Sequence, residues 1–218
     1  MGPRDQATRE RIVEHAAALF ADRGFTKVTV REICRSATAN VAAVNYHFGG
    51  KLGLYRAVIR AAVDAMRETN ELSVEAGRGA APEDQLRAYV RIFLTRLSSS
   101  GRHSWIHKLM TREMEEQTEV FDEVIRDVIE PRIRYLSGVV SALTGLPPDD
   151  VRVSRAVASV QAQCLIFARP IPKKIPPAWR AASKNLDAVA AHIADFSLGG
   201  MQAIAARPEE PRDRPQLT

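Results

Sequence analysis

The chain has 218 residues, 45% hydrophobic and 26% charged, with 31 Lys and Arg against 26 Asp and Glu. That length buries a sizeable core in one or two domains, and the hydrophobic share excludes a disordered chain. Two cysteines exclude a disulfide scaffold, no apolar run approaches the roughly 18 residues that span a bilayer, and the charged N-terminus lacks the apolar segment of a secretory signal. A reducing, cytoplasmic location without membrane attachment is expected.

The predicted elements are helices throughout. Ile12, Ala16, Leu19 and Phe20 share one face of a helix over 9–23, which Gly24 ends. Thr29 with Glu32 three residues on is a capping box, opening a short helix. After a break at Thr38-Ala39, Asn40 caps a second short helix, NVAAVNYHF. Gly49-Gly50 precedes a longer helix from Lys51, with Leu54, Val58, Ala62, Ala65 and Leu72 as its stripe. Pro82 starts the next, carrying Leu86, Val90, Phe93, Leu94 and Leu97 in phase. Helices over 102–116 and 118–144 follow, the second expected to kink at Pro131, which lacks a donor and crowds the previous turn. Pro147-Pro148-Asp149 opens a helix to about Ala168. Four prolines make 169–179 a loop, and a last helix spans 184–206. The proline-rich remainder, 207–218, is expected to be a disordered tail. The fold class is all-α, divided as a head over 1–52 and a helical body over 53–206.

Charge distinguishes the two parts. Residues 1–60 hold ten Lys and Arg against five acids, while the rest of the chain is balanced. A basic head on a neutral body suits contact with a polyanion at one end. Two short helices joined by a tight turn inside that head make a helix-turn-helix, whose second helix fits the major groove of duplex DNA. Small Ala42 and Ala43 let that helix approach the bases, and Asn45, Tyr46 and His47 add hydrogen-bonding groups.

The run TVREICRSATANVAAVNYHFGGKLGLY, Thr29–Tyr55, closely resembles the N-terminal signature of the TetR family of bacterial transcriptional regulators, with NYHFGGK at Asn45–Lys51. The resemblance implies a homodimeric repressor that binds a palindromic double-stranded DNA operator and leaves it when a small-molecule effector binds the body. No catalysis, cofactor or metal is implied. Base-proximal positions are then Asn40, Val41, Ala42, Ala43 and Asn45, with Arg31 also in reach. Phosphate contacts fall to Thr29, Tyr46, His47, Lys51 and Lys27. Thr38 stands where the family usually has glycine, and threonine tolerates positive φ poorly, so this turn is expected to be strained or differently shaped.

The body stretch His107–Gly145 more distantly resembles regulators with one type of C-terminal domain, some of which control multidrug transport. Effector walls are expected from Trp105, Met110, Met114, Phe121 and Phe167, and polar anchors from His107, Arg112, Glu113, Gln161 and Gln163. Core packing competes for the apolar set, and an ion pair for Arg112 with Glu113. The resemblance also implies a four-helix dimer interface, for which Ala158, Gln161, Ala162, Leu165, Val189, Ile193, Phe196, Gly200 and Ile204 are candidates. The sequence lacks GxSxG, GxxxxGK[ST] and HExxH. The alternative reading is a metal- or thiol-dependent enzyme or sensor, resting on His103 and His107 four residues apart and on Cys164.

Overall fold

A computed structural model describes residues 2–98, 104–168 and 174–207. Among these no strand occurs. Three helices form the head: α1 Pro3–Arg23, α2 Val30–Ser36 and α3 Val41–Phe48. Helix α4, Lys51–Ala76, runs out of the head into the body. There it meets α5 Pro82–Ser98, α6 Ser104–Glu116, α7 Phe121–Val124, α8 Glu130–Thr144, α9 Val151–Phe167, α10 Pro177–Ala181 and α11 Leu186–Ala205.

The capping chemistry read from the sequence sets the helix starts. Thr29 Oγ1 accepts from the Glu32 amide at 3.3 Å while Glu32 Oε2 accepts from the Thr29 amide at 2.8 Å. Asn40, Asp150 and Asn185 cap α3, α9 and α11 with their side chains. Helix α9 therefore starts at Val151 behind its Asp150 cap, three residues beyond Pro148, where the prolines were expected to open it. The single helix expected over 118–144, kinked at Pro131, is instead divided. One π turn, Ile125–Ile129, lies between α7 and α8, and Pro131 follows in the first turn of α8. Within the stretch expected to be loop, Pro177 begins the short α10; residues 169–173, and the tail from 208, lie outside the described residues.

Two apolar clusters build the interior. The first joins Ile12, Phe20, Ile33 and Val44 of the head to Leu54, Val58 and Ile59 of α4, and continues into Leu109, Val120 and Val128 of the body. The second fills the space among α5, α8, α9 and α11 with Leu86, Tyr89, Leu94, Leu136, Val140, Val157 and Ile193. Because the first cluster crosses residue 52, head and body share packed side chains. Leu72, expected on the apolar stripe of α4, is exposed.

Candidate nucleic-acid interface and regulatory cavity

Helix α3 carries one face inward and one outward. Val44 is fully buried, and Ala43 and Phe48 pack against the head core. Arg9 lies over the Phe48 ring at 5.4 Å, and His47 Nε2 sits 3.3 Å from Asp5 Oδ1 with its side chain only 4% exposed. One helical step away, Val41, Ala42, Asn45 and Tyr46 are all exposed, Tyr46 to 78%. Asn40 stands at the start of that face with Oδ1 accepting from the Ala43 amide at 2.6 Å. The structure therefore brings Asn40, Val41, Ala42, Asn45 and Tyr46 together on one surface. Ala43 and His47, expected beside them, are turned to the core and to Asp5, because a helix that packs on one side can present only the other.

Helix α2 flanks this surface with exposed Arg31 and Arg35, and exposed Lys27 precedes it. The single acid of α2 and α3, Glu32, is neutralised locally: Arg23 Nη2 lies 2.8 Å from Glu32 Oε1. The Thr29 hydroxyl and this guanidinium hold the Glu32 carboxyl well below the usual range, at about 2. Lys51 is half-buried rather than solvated. Its ammonium lies 4.4 Å from the centre of the Phe25 ring and 3.4 Å from the Thr26 carbonyl, and burial lowers its pKa. Lys51 thus also fixes the start of α4 against the loop after α1.

Two backbone features hold α3 in place. Thr38 has φ 49°, the left-handed conformation, so the turn is strained as its β-branched side chain implied. Gly53 is required by contact: a Cβ there would meet the Phe48 carbonyl oxygen at 1.7 Å. Its place in KLGLY was visible in the sequence, but the close approach of α4 to α3 that demands it was not.

Behind the head, a cavity of about 170 Å³ opens among α4, α5, α6, α8 and α9. Its apolar walls include Met66, Phe93, Leu97, Ile106, Met110, Met114, Ile129 and Leu165. Its polar wall has Thr69, Asn70, Arg96, His107, Thr111, Arg132 and Gln161. Of the expected effector residues, His107, Met110, Met114 and Gln161 are brought together here. The others are placed elsewhere. Trp105 packs against the head core, and Phe167 lies near His192 with ring centres 6.3 Å apart. Gln163 donates to Ser197 Oγ at 3.3 Å, bridging α9 and α11, and Phe121 is half-buried outside the cavity wall.

Arg112 and Glu113 do not pair; both reach the head. Arg112 donates from Nε to the Ala21 carbonyl at 2.9 Å and from Nη2 to the Asp22 carbonyl. Glu113, fully buried, accepts from the Tyr55 hydroxyl, and its other oxygen accepts from the Thr118 amide at 3.0 Å and hydroxyl at 2.6 Å. Burial, and then this carboxyl, push the Tyr55 phenol up. Glu116 Oε2 accepts from the Phe25 amide at 3.3 Å. One face of α6 therefore lines the cavity while its C-terminal turns hold the ends of α1 and α4.

The interface candidates divide in the same way. Val189 and Ile193 are buried in the protomer's own core between α11 and its neighbours, and Gln161 and Leu165 face the cavity. Val189 and Ile193 are thus closed off from solvent, whereas Gln161 and Leu165 are half-buried. Ala158, Ala162, Phe196 and Gly200 are exposed, and Ile204 is half-buried. Ile166 and Val151, absent from the expected set, add exposures of 66% and 51%, with Phe196 at 65%.

Among the described residues no group of three His, Cys, Asp or Glu side chains is arranged to hold a metal, and His103 lies outside them. Cys164 is fully buried, and burial pushes its thiol up to about 12. No helix among the described residues is long and apolar enough to cross a membrane.

Two families match. Residues 12–58 match "Bacterial regulatory proteins, tetR family", and residues 82–201, more than half of the chain, match "HTH-type transcriptional dual regulator CecR, C-terminal domain". A probable HTH-type transcriptional regulator of Bacillus subtilis, YttP, is 29% identical over 123 residues, 56% of each chain. The aligned stretch thus spans just over half of that relative. CecR of Shigella flexneri is 27% identical over 170 residues, 74% of this chain and 76% of its own. A TetR-like regulator from Rhodococcus sp. RHA1 shares the fold at a TM-score of 0.68 and 17% identity, over 92% of this chain and 97% of that one.

Proposed function

The chain belongs to the TetR family of bacterial DNA-binding transcriptional regulators, and on that premise we propose that it is a homodimeric repressor released from a palindromic operator by a small molecule. The observation that carries this reading is the outward face of α3. It is narrow, free of acids, flanked by exposed Arg31, Arg35 and Lys27, and locked by Val44 and the His47–Asp5 contact. Small Ala42 lets the backbone come close to base edges, Asn45 and Asn40 offer amides to them, and Val41 offers an apolar contact to a thymine methyl. Tyr46, Thr29, Lys27, Arg31 and Lys51 suit phosphates on either side, where contacts orient the helix without reading sequence.

Two such helices must meet successive major-groove faces, about 34 Å apart or a multiple of that. A partner copy is supplied by the outer faces of α9 and α11, where Ile166, Phe196 and Val151 are exposed beside small Ala158, Ala162 and Gly200. Small residues at a helix interface let two backbones approach closely while the large ones interdigitate. The division at residue 52 is then one of task, since the packing is continuous across it.

Release follows from α6. A guest between Met110, Met114 and the facing helices shifts α6, and the Arg112, Glu113 and Glu116 contacts pass that shift to the ends of α1 and α4. The two heads then fit a different spacing, at a coupling of about 1–3 kcal/mol. CecR carries the designation "dual regulator", which favours a second reading: bound protein that activates some promoters while blocking others.

Selection from a randomised duplex library tests the proposal. It should return an inverted repeat, and Ile166→Ser with Phe196→Ser should yield a sedimenting monomer that no longer retains it. Recovery of unrelated sequences, or full retention by the monomer, would defeat it.

A further inference from the structure

The cavity's polar wall holds two donors without acceptors. Arg132 Nε and Gln161 Nε2 are buried, and among the described residues neither has a hydrogen-bond partner. Buried donors in folded proteins are almost always paired, with protein or with water, so two orphans on one cavity wall mark a place where a bound acceptor is held. Among the described residues the wall contains no Asp or Glu. Its other guanidinium, Arg96, is already engaged 3.4 Å from Glu68. Arg132 lies over the Phe93 ring at 5.1 Å, beside an apolar wall of the space.

Taking the cavity as the effector site, we propose that its ligand is a small hydrophobic monocarboxylate. Its carboxylate accepts from Arg132 Nε and Gln161 Nε2, and its apolar body lies among the methionines. The edge of a guanidinium that includes Nε presents two parallel N–H groups, the spacing that a planar carboxylate matches. Among the described residues of the wall, Arg132 is the guanidinium without an ion pair, and it balances one negative charge, which disfavours a phosphate dianion. A cavity of about 170 Å³ is on the scale of one known to hold benzene, about 150 Å³, so the body is one or two rings. Met66, Met110 and Met114 supply flexible walls that adapt to related bodies.

Calorimetric titration of the full chain with benzoate and 2-naphthoate, each against its uncharged amide, tests this. The acid should bind about tenfold or more tightly than its amide, the scale of one charge-assisted pair. Arg132→Met should erase the preference while leaving amide affinity within about threefold, and Gln161→Leu should weaken the acid by about threefold. Inorganic phosphate should neither bind nor compete. Equal binding of acid and amide, an undiminished preference in Arg132→Met, competition by phosphate, or no acid bound below millimolar concentration would each overturn the assignment. The wild-type acid–amide comparison stands even if Arg132→Met does not fold. Duplex release is read separately. An acid that binds without releasing duplex contradicts the regulatory reading, whereas release by neutral compounds alone contradicts only the ligand class.

Discussion

Replacing Glu113 measures how firmly α6 grips the head. The carboxyl is fully buried and accepts three hydrogen bonds, from the Tyr55 hydroxyl and from the amide and hydroxyl of Thr118. Glu113→Ala leaves all three donors without an acceptor. Each orphan costs at least about 1 kcal/mol, so the loss should be about 3 kcal/mol. For a chain of this size that lowers Tm by roughly 6–12 °C. Glu113→Gln should lose only about 1 kcal/mol, because its amide oxygen still accepts from Thr118 and its NH2 can donate to the Tyr55 oxygen. Urea unfolding followed by circular dichroism supplies both values, and the cycle with Tyr55→Phe isolates the bond across to α4. A Glu113→Ala protein within 0.5 kcal/mol (roughly the range of an ordinary surface change) would refute this account. So would a glutamine variant as damaged as the alanine one.

Thr38→Gly relieves a left-handed β-branched residue that costs about 1–2 kcal/mol, offset by about 0.5–1 kcal/mol of extra unfolded-state freedom. A small gain in urea midpoint is expected, and a loss would show that the hydroxyl or methyl has an unseen role. Glu32 has a folded pKa lowered to about 2 from about 4.3 unfolded. Its contribution is therefore present above about pH 4 and fades as pH falls toward 2. The stability difference between wild type and Glu32→Gln, measured across that range, should be flat above pH 5 and shrink below; a difference that grows on acidification contradicts the assignment. Cys164, buried with its thiol pushed up to about 12, should stay unmodified by a disulfide reagent at pH 8 until denaturant is added. Rapid native labelling would revive the thiol-sensor alternative.

The helical frame was legible because its signals are local. The Thr29–Glu32 capping box, the Asn40 cap and the glycines ending helices each act within one turn, and apolar phase placed Ile12, Phe20, Leu86, Val90 and Leu136 inside. The strain at Thr38 was legible only through the resemblance, because a β-branched residue stands where the family usually has glycine. The outward face of α3 was only partly legible. Sequence places Asn45 and His47 two residues apart, but which of them faces the core depends on where α1 packs, and Asp5 settles that for His47.

The cavity was least legible, because helices from α4 to α9 supply its wall and their juxtaposition is tertiary. Two polar residues did carry a signal. Arg132 falls in phase with Val128, Leu136 and Val140, and Glu113 lies one turn after Leu109, so both are charged groups on buried stripes. A charge in that position has to be matched across the fold. Glu113 finds its donors in Tyr55 and Thr118, and Arg132 Nε meets none among the described residues. The interface candidates show the reverse limit. Val189 and Ile193 lie in the α11 core, whereas Phe196, seven residues after Val189 and so in nearly the same phase, is open to solvent at the edge of that stripe.

The affinity of the purified chain for its selected duplex and for a scrambled duplex of equal length, each titrated with salt, bears most directly on whether α3 reads sequence. At physiological salt the selected duplex should be held at least about a thousandfold more tightly. Asn45→Ala should shrink that ratio while leaving scrambled binding and its salt slope unchanged. Equal affinity for both duplexes, or an Asn45→Ala ratio identical to that of the wild type, would contradict the account.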